Sequence, residues 1–363
     1  MRRFDIARAS RPVRKTRAAA MRLAFLTFVF GLPAAALAQP SNAADKLTEV
    51  NVRVRTAHYA LSGTVSDKTL QQYGQALEFI YREYAAGFSE VLSDEPASVT
   101  PPETPKKKPA SGRAASKQRS AARAAPEPRP DAGSDAAAPK QDQDGDAALF
   151  PVLVFGTDEE YQRFGQEYLG GTTEHSDGMF IPALRVLLIR DHGNLDSTRG
   201  VIFHEAFHQF MHRYIKAPPI WLNEGLATYY GSAEPTRRGL DFGNPPTGDW
   251  KLVRKLIGKD EAIALDEVVQ ASRAEFYDAT PVHVSGFKNV TRRNVFYAEA
   301  YTLMHTLLAD PTGRQRLRDY LRDLAKSDGK DTAKITQQYF GPDACMHMTP
   351  YWIKHVESRP ENR

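Results

Sequence analysis

Residues 201–212 read VIFHEAFHQFMH, and His204, Glu205 and His208 stand at a spacing that suits metal and proton chemistry. On a helix, positions i and i+4 stack on one face, so both imidazoles reach a single ion, while Glu205 is rotated by about 100° to stand beside them. Two neutral nitrogens with an adjacent carboxylate are the parts of a general base next to metal-activated water. Lys216, Ala217, Pro218 and Pro219 must end this helix, which is amphipathic by sequence and capped around Asp196 to Thr198. The proline pair opens a second helical pattern, IWLNEGLATYY, over 220–230. Glu224 falls in its first turns, and a short turn between the helices brings it back over the histidines. Two nitrogens and one carboxylate with the fourth position open match catalytic zinc, whereas structural zinc fills all four positions. The expected ligands of Zn2+ are therefore His204, His208 and Glu224, with Glu205 as catalytic base.

HEAFH followed by NEGLA, with fifteen residues separating His208 from Glu224, resembles the gluzincin zinc metallopeptidases, in which HExxH is completed by the glutamate of an NExxA-type segment. The arrangement of the whole chain is similar to the bacterial peptidase MA-like proteins, over roughly 48–92 and 149–355. That resemblance implies a zincin-like fold, peptide or protein substrates, and hydrolysis of peptide bonds in which zinc polarises the carbonyl and Glu205 carries the proton to the leaving amine. It does not extend to aminopeptidase action, because no Gly-x-Met-Glu-Asn segment for a free amine is present. The residues alone leave two other readings open: a zinc hydrolase of a non-peptide amide, and a binding protein that keeps the fold without turnover.

His212 continues the 204, 208 stripe, but eight residues at the helical rise put it about 12 Å from His204, too far for one ion. In VFYAEAYTLMHTLL, over 295–308, Tyr297, Tyr301 and His305 lie four apart on one helix face. The resemblance implies a tyrosine or histidine that donates to the developing oxyanion and favours Tyr297, with Tyr301 and His305 in reserve. Packing is the competing reading of such a stripe. Cys345 is the only cysteine; an intramolecular disulfide is excluded, and burial is the expected role.

These residues must be positioned by elements read from the remaining sequence. Alternation of Val50, Val52 and Val54 marks a strand within 48–60, and a helix follows from about Ser66 to Val91. LFPVLVF, over 149–155, is an apolar strand followed by a helix from near Asp158, and Gly178 to Pro182 with Leu184 to Arg190 form a hairpin whose edge suits an extended peptide. From Thr198 to Glu357 the pattern is helical. Strands first and helices afterwards give an α+β class.

Residues 1–38 carry eight basic side chains and one acidic, then an apolar run ending Ala36, Leu37, Ala38. This is a signal peptide, with the product exported to the periplasm or beyond. The run contains Gly31 and Pro33 and is shorter than the roughly 20 residues of a membrane span, so none is expected after cleavage. The leader accounts for more than the whole net charge of +4, which removes nucleic-acid binding as a reading of the basic composition. Residues 94–147 are rich in Ala, Pro, Lys and Asp without an aromatic, a composition that cannot offset the entropy of ordering. They are expected to be a disordered insertion within one catalytic domain, between its first part (39–93) and the main part (148–363). Oligomeric state has no signature in the sequence.

Overall fold

In a computed structural model of the protein the described residues are 52–92, 149–169, 173, 176–242 and 247–359. The signal peptide expected over 1–38 and the insertion expected over 94–147 lie outside them. The segment read as one strand divides into a hairpin, β1 (Val54–Arg55) and β2 (Tyr59–Gly63). Its turn is held by Glu78, which accepts from Thr56 Oγ1 at 2.6 Å and from the His58 backbone N–H at 2.7 Å. Helix α1 (Asp67–Leu92) returns the chain to β3 (Phe150–Phe155), which pairs in parallel with β2. Helix α2 (Asp158–Leu169) then precedes β4 (Gly178–Ile181) and β5 (Val186–Arg190). The sheet order is β1-β2-β3-β5-β4, and β4 is an edge strand antiparallel to β5.

Alternate strand residues serve opposite faces of the sheet. Val152, Val154, Leu187 and Ile189 join the main core with α1, whereas Leu153, Phe155, Met179, Ile181 and Leu188 close a smaller core with α2. On the larger face lies α3 (Leu195–Tyr214), the helix that bears the histidines, followed by α4 (Ile220–Gly231). A two-stranded ribbon, β6 (Glu234–Thr236) with β7 (Gly239–Asp241), interrupts a region whose sequence reads as helical. The remainder is α5 (Thr247–Ile257), α6 (Leu265–Gln270), α7 (Arg273–Phe276), α8 (Arg292–Ala309), α9 (Pro311–Lys326), α10 (Thr332–Phe340) and α11 (Pro342–Ser358). The protein is thus α+β: a five-stranded mixed sheet, a histidine-bearing helix and a helical C-terminal part. No helix among the described residues is long and apolar enough to cross a membrane.

Candidate metal centre

Helix α3 starts earlier than Asp196, because the Asn194 side chain caps it by accepting from the Asp196 N–H at 3.0 Å. Nor is it amphipathic. It is enclosed by β4, β5, α1 and α4, and from Val201 to Met211 every residue is buried except Glu205. Gln209 fixes the helix to the sheet by donating to the carbonyls of Pro151 and Arg185, each at 3.0 Å. The Tyr84 hydroxyl on α1 donates to the Phe203 carbonyl. A helix gripped on this many sides holds its imidazoles rigidly.

Helix α4 approaches on the other side, and two glycines permit the contact. A Cβ on Gly231 would stand 3.0 Å from His204 Cβ, and one on Gly225 would stand 2.9 Å from the Ala300 carbonyl oxygen of α8. Glu224, next to Gly225, is thereby carried into the space above the two histidines. Its Oε2 lies 3.4 Å from His204 Nε2 and 3.6 Å from His208 Nε2. Ligand atoms in a tetrahedron around an ion with bonds of about 2.1 Å stand about 3.4 Å apart, so these separations suit a shared metal. His204, His208 and Glu224 are 4%, 6% and 2% exposed. Among the described residues no other trio of His, Cys, Asp or Glu offers ligand atoms this close, all within 4.8 Å of one another.

Glu224 Oε2 is buried without a hydrogen-bond partner, an expensive state for a carboxylate oxygen that a cation would relieve. This fits the trio for a metal ion. The charges point the same way. Burial alone would raise Glu224, yet the two histidines hold it well below the ordinary carboxylate range. Burial would lower His208, yet Glu224 overcomes this and lifts it to about 9. The Asn223 side chain contributes in the same direction.

Glu205 points toward the edge strand, where the Phe180 backbone N–H donates to its Oε2 at 2.8 Å. Burial raises its pKa, against the pull of His208, His204 and that N–H. His212 stands apart from the trio as the helical rise requires. Its ring packs on Phe180 at 5.4 Å, and burial, then His208 and Arg273, push it down to about 4.

The tyrosine stripe of α8 separates by level. Tyr297 is buried beside Glu224, and burial followed by that carboxylate drives its pKa far up. Tyr301 accepts from Ser232 Oγ at 3.2 Å, and His305 joins His355 and Arg359, so neither reserve stands with the trio. A residue without any sequence signal does. Tyr277, just past α7, donates its hydroxyl to Glu224 Oε1 at 2.6 Å. Cys345 is buried and unpaired to another cysteine, with burial raising it to about 11, as an inert thiol requires.

No protein-family model matches the sequence, and a search of curated proteins returns no match. The buried trio on α3 and α4 is consistent with an HExxH-plus-glutamate site of zincin type, and its residues suit a metal-dependent hydrolase.

Proposed function

We propose that the protein is an exported zinc-dependent peptidase, with His204, His208 and Glu224 as ligands, Glu205 as general base and Tyr297 as oxyanion donor. The observation that carries this reading is the partnerless, buried Glu224 Oε2 aimed between two imidazole nitrogens, with Glu205 one position along the same helix. Two imidazoles and one carboxylate form a ligand set that catalytic zinc uses, and imidazole nitrogen also suits iron, copper and nickel. When bound, such an ion supplies Lewis acidity, polarising a carbonyl and acidifying water.

The residues of the chain do the rest. Glu205 alone in its stretch of α3 keeps part of its surface open, and its raised pKa suits a group that takes a proton from water and returns it to a leaving amine. Tyr297 offers a hydroxyl held protonated by burial and by Glu224, the form that donates to a developing negative charge. The edge strand β4 lies beside Glu205, to which the Phe180 N–H donates, and an extended peptide reaching the site would run along this edge. Export rests on the leader over 1–38 alone.

The test is metal analysis of the purified chain together with digestion of a mixed peptide library. One equivalent of zinc and cleavage that a chelator stops and zinc restores are expected. A metal-loaded protein that cuts no peptide overturns the peptidase reading and leaves a hydrolase of a non-peptide amide or a binding protein without turnover.

A further inference from the structure

Glu224 has two oxygens in different situations. Oε2 lies between the two histidine nitrogens, and Oε1 accepts the short bond from Tyr277. The terminal torsion of a glutamate is soft, with a broad two-fold profile. Nothing intrinsic to the side chain therefore selects which oxygen, or how many, meets an ion.

Tyr277 itself is firmly placed. Helix α7 before it is fixed by a capping box, in which Ser272 and Glu275 satisfy each other's backbone N–H groups. The Tyr277 N–H bonds back to the Arg273 carbonyl at 3.0 Å, and the Arg273 guanidinium lies 5.7 Å over the Tyr277 ring. Phe276 is fully buried, with its ring 5.3 Å from Phe296 and 5.1 Å from Tyr297 on α8. The hydroxyl thus arrives at Oε1 from a separate segment, held by its own capping box and by packing on α8.

We infer that Tyr277 is a positioning residue for the metal ligand Glu224: its hydroxyl takes Oε1 and leaves Oε2 alone to face the ion. The inference rests on the trio being a metal site. A hydroxyl bonded to a carboxylate is a strong, charge-assisted contact, and it blocks the second oxygen from closing onto the ion. One-point attachment keeps a coordination position open, which catalysis by a hydrolytic metal needs. Tyr277 would act through Glu224 and need not touch substrate.

Zinc affinity is measured by competition with a chromophoric chelator, on the full chain, for wild type, Tyr277→Phe and Tyr301→Phe. Removal of a group that orients a ligand typically costs about 10–100-fold in metal affinity, and that loss is expected for Y277F. Y301F, which removes a buried hydroxyl bonded to Ser232 and not to Glu224, should stay within about threefold of wild type, since the orienting contact is intact. The Phe variant keeps the ring and its packing and loses one hydrogen bond to a buried carboxylate, so the metal-free protein is expected to stay folded with a thermal midpoint a few degrees below wild type. Cobalt substitution reads the geometry directly: a freed Oε1 raises the coordination number and weakens the visible absorption of Y277F. Equal zinc affinity and an unchanged cobalt spectrum in Y277F overturn the inference. A wild-type chain that binds neither ion overturns it too, together with the metal-site reading beneath it.

Discussion

His204 and His208 meet the carboxylate of Glu224, whereas His305 of α8 meets His355 of α11 and the guanidinium of Arg359. In the second cluster His355 Nε2 stands 3.2 Å from His305 Nδ1, and Arg359 is 2.9 Å from His305 Nε2. The first pair meets edge to face at 4.8 Å, the second packs on Trp250, and both are at least half-buried. Their protonation is driven in opposite directions. His208 is lifted to about 9 because Glu224 overcomes burial, and His305 is pushed down to about 4 by burial with Arg359 adding to it. Proximity of two imidazoles is thus common to both sites, and the charge of the third group separates them. One cluster has room for an added cation; the other has its cation built in, fixed further by Arg254, which donates to the Val356 and Arg359 carbonyls.

The largest break in this comparison should come from removing one histidine of each pair. His208→Ala is expected to lose bound metal and all chelator-sensitive turnover, while His355→Ala keeps a full equivalent of metal; metal analysis after desalting distinguishes the two. Glu205→Gln is the next largest effect. It should retain the metal and lose about 10²–10⁴ in kcat, the range supplied by a positioned general base, so single-turnover kinetics on metal-loaded protein would expose an unchanged rate. The smallest effect belongs to the second cluster. Arg359→Met removes one of the two main pressures on His305, and ring proton resonances followed across pH should show its pKa rising from about 4 toward the ordinary value without reaching it, because burial is the larger cause. The sign for stability follows. A histidine held neutral by the fold leaves the unfolded chain binding more protons between the two pKa values, so stability falls as pH drops from about 6.5 toward 4. The Arg359→Met variant should show a shallower acid-side fall in thermal midpoint.

The clustering of His204, His208 and Glu224, with Glu205 beside it, was legible in the sequence because its spacing is local. His204, Glu205 and His208 share one helix turn, and Pro218 with Pro219 announces the break that brings Glu224 around. Sheet and helix order were legible for the same reason, since each element carries its own periodicity. Contacts made across the fold were not. Tyr277 reaches Glu224 from 53 positions away, in a segment whose only local signal is the Ser272 capping box. The Tyr297, Tyr301, His305 stripe gave the face without the level, because only the packing of α4 on α8 decides which of the three is opposite Glu224. The β1–β2 turn was hidden because Glu78, far along α1, supplies its hydrogen bonds. The β6–β7 ribbon was hidden because its strands are short, polar and interrupted by Pro235. The burial of 201–211 could not be read from a segment that includes His, Glu and Gln, since the Gln209 amide finds its acceptors at Pro151 and Arg185, far away in sequence.

Strand β2 and helix α1 lie on one side of a long stretch of chain, and β3 lies on the other, yet five residue pairs zip β2 to β3 and α1 packs under α3. Linear continuity and physical continuity are therefore different things in this molecule. The metal helix leans on Tyr84, which belongs to the earlier piece, so that piece acts as a scaffold half rather than a leading appendage. The entropy of joining two such halves changes only with the logarithm of the connecting length. A chain cut between α1 and β3 is therefore expected to yield two fragments that reassemble through the β2–β3 pairing and the contact of Tyr84 with α3.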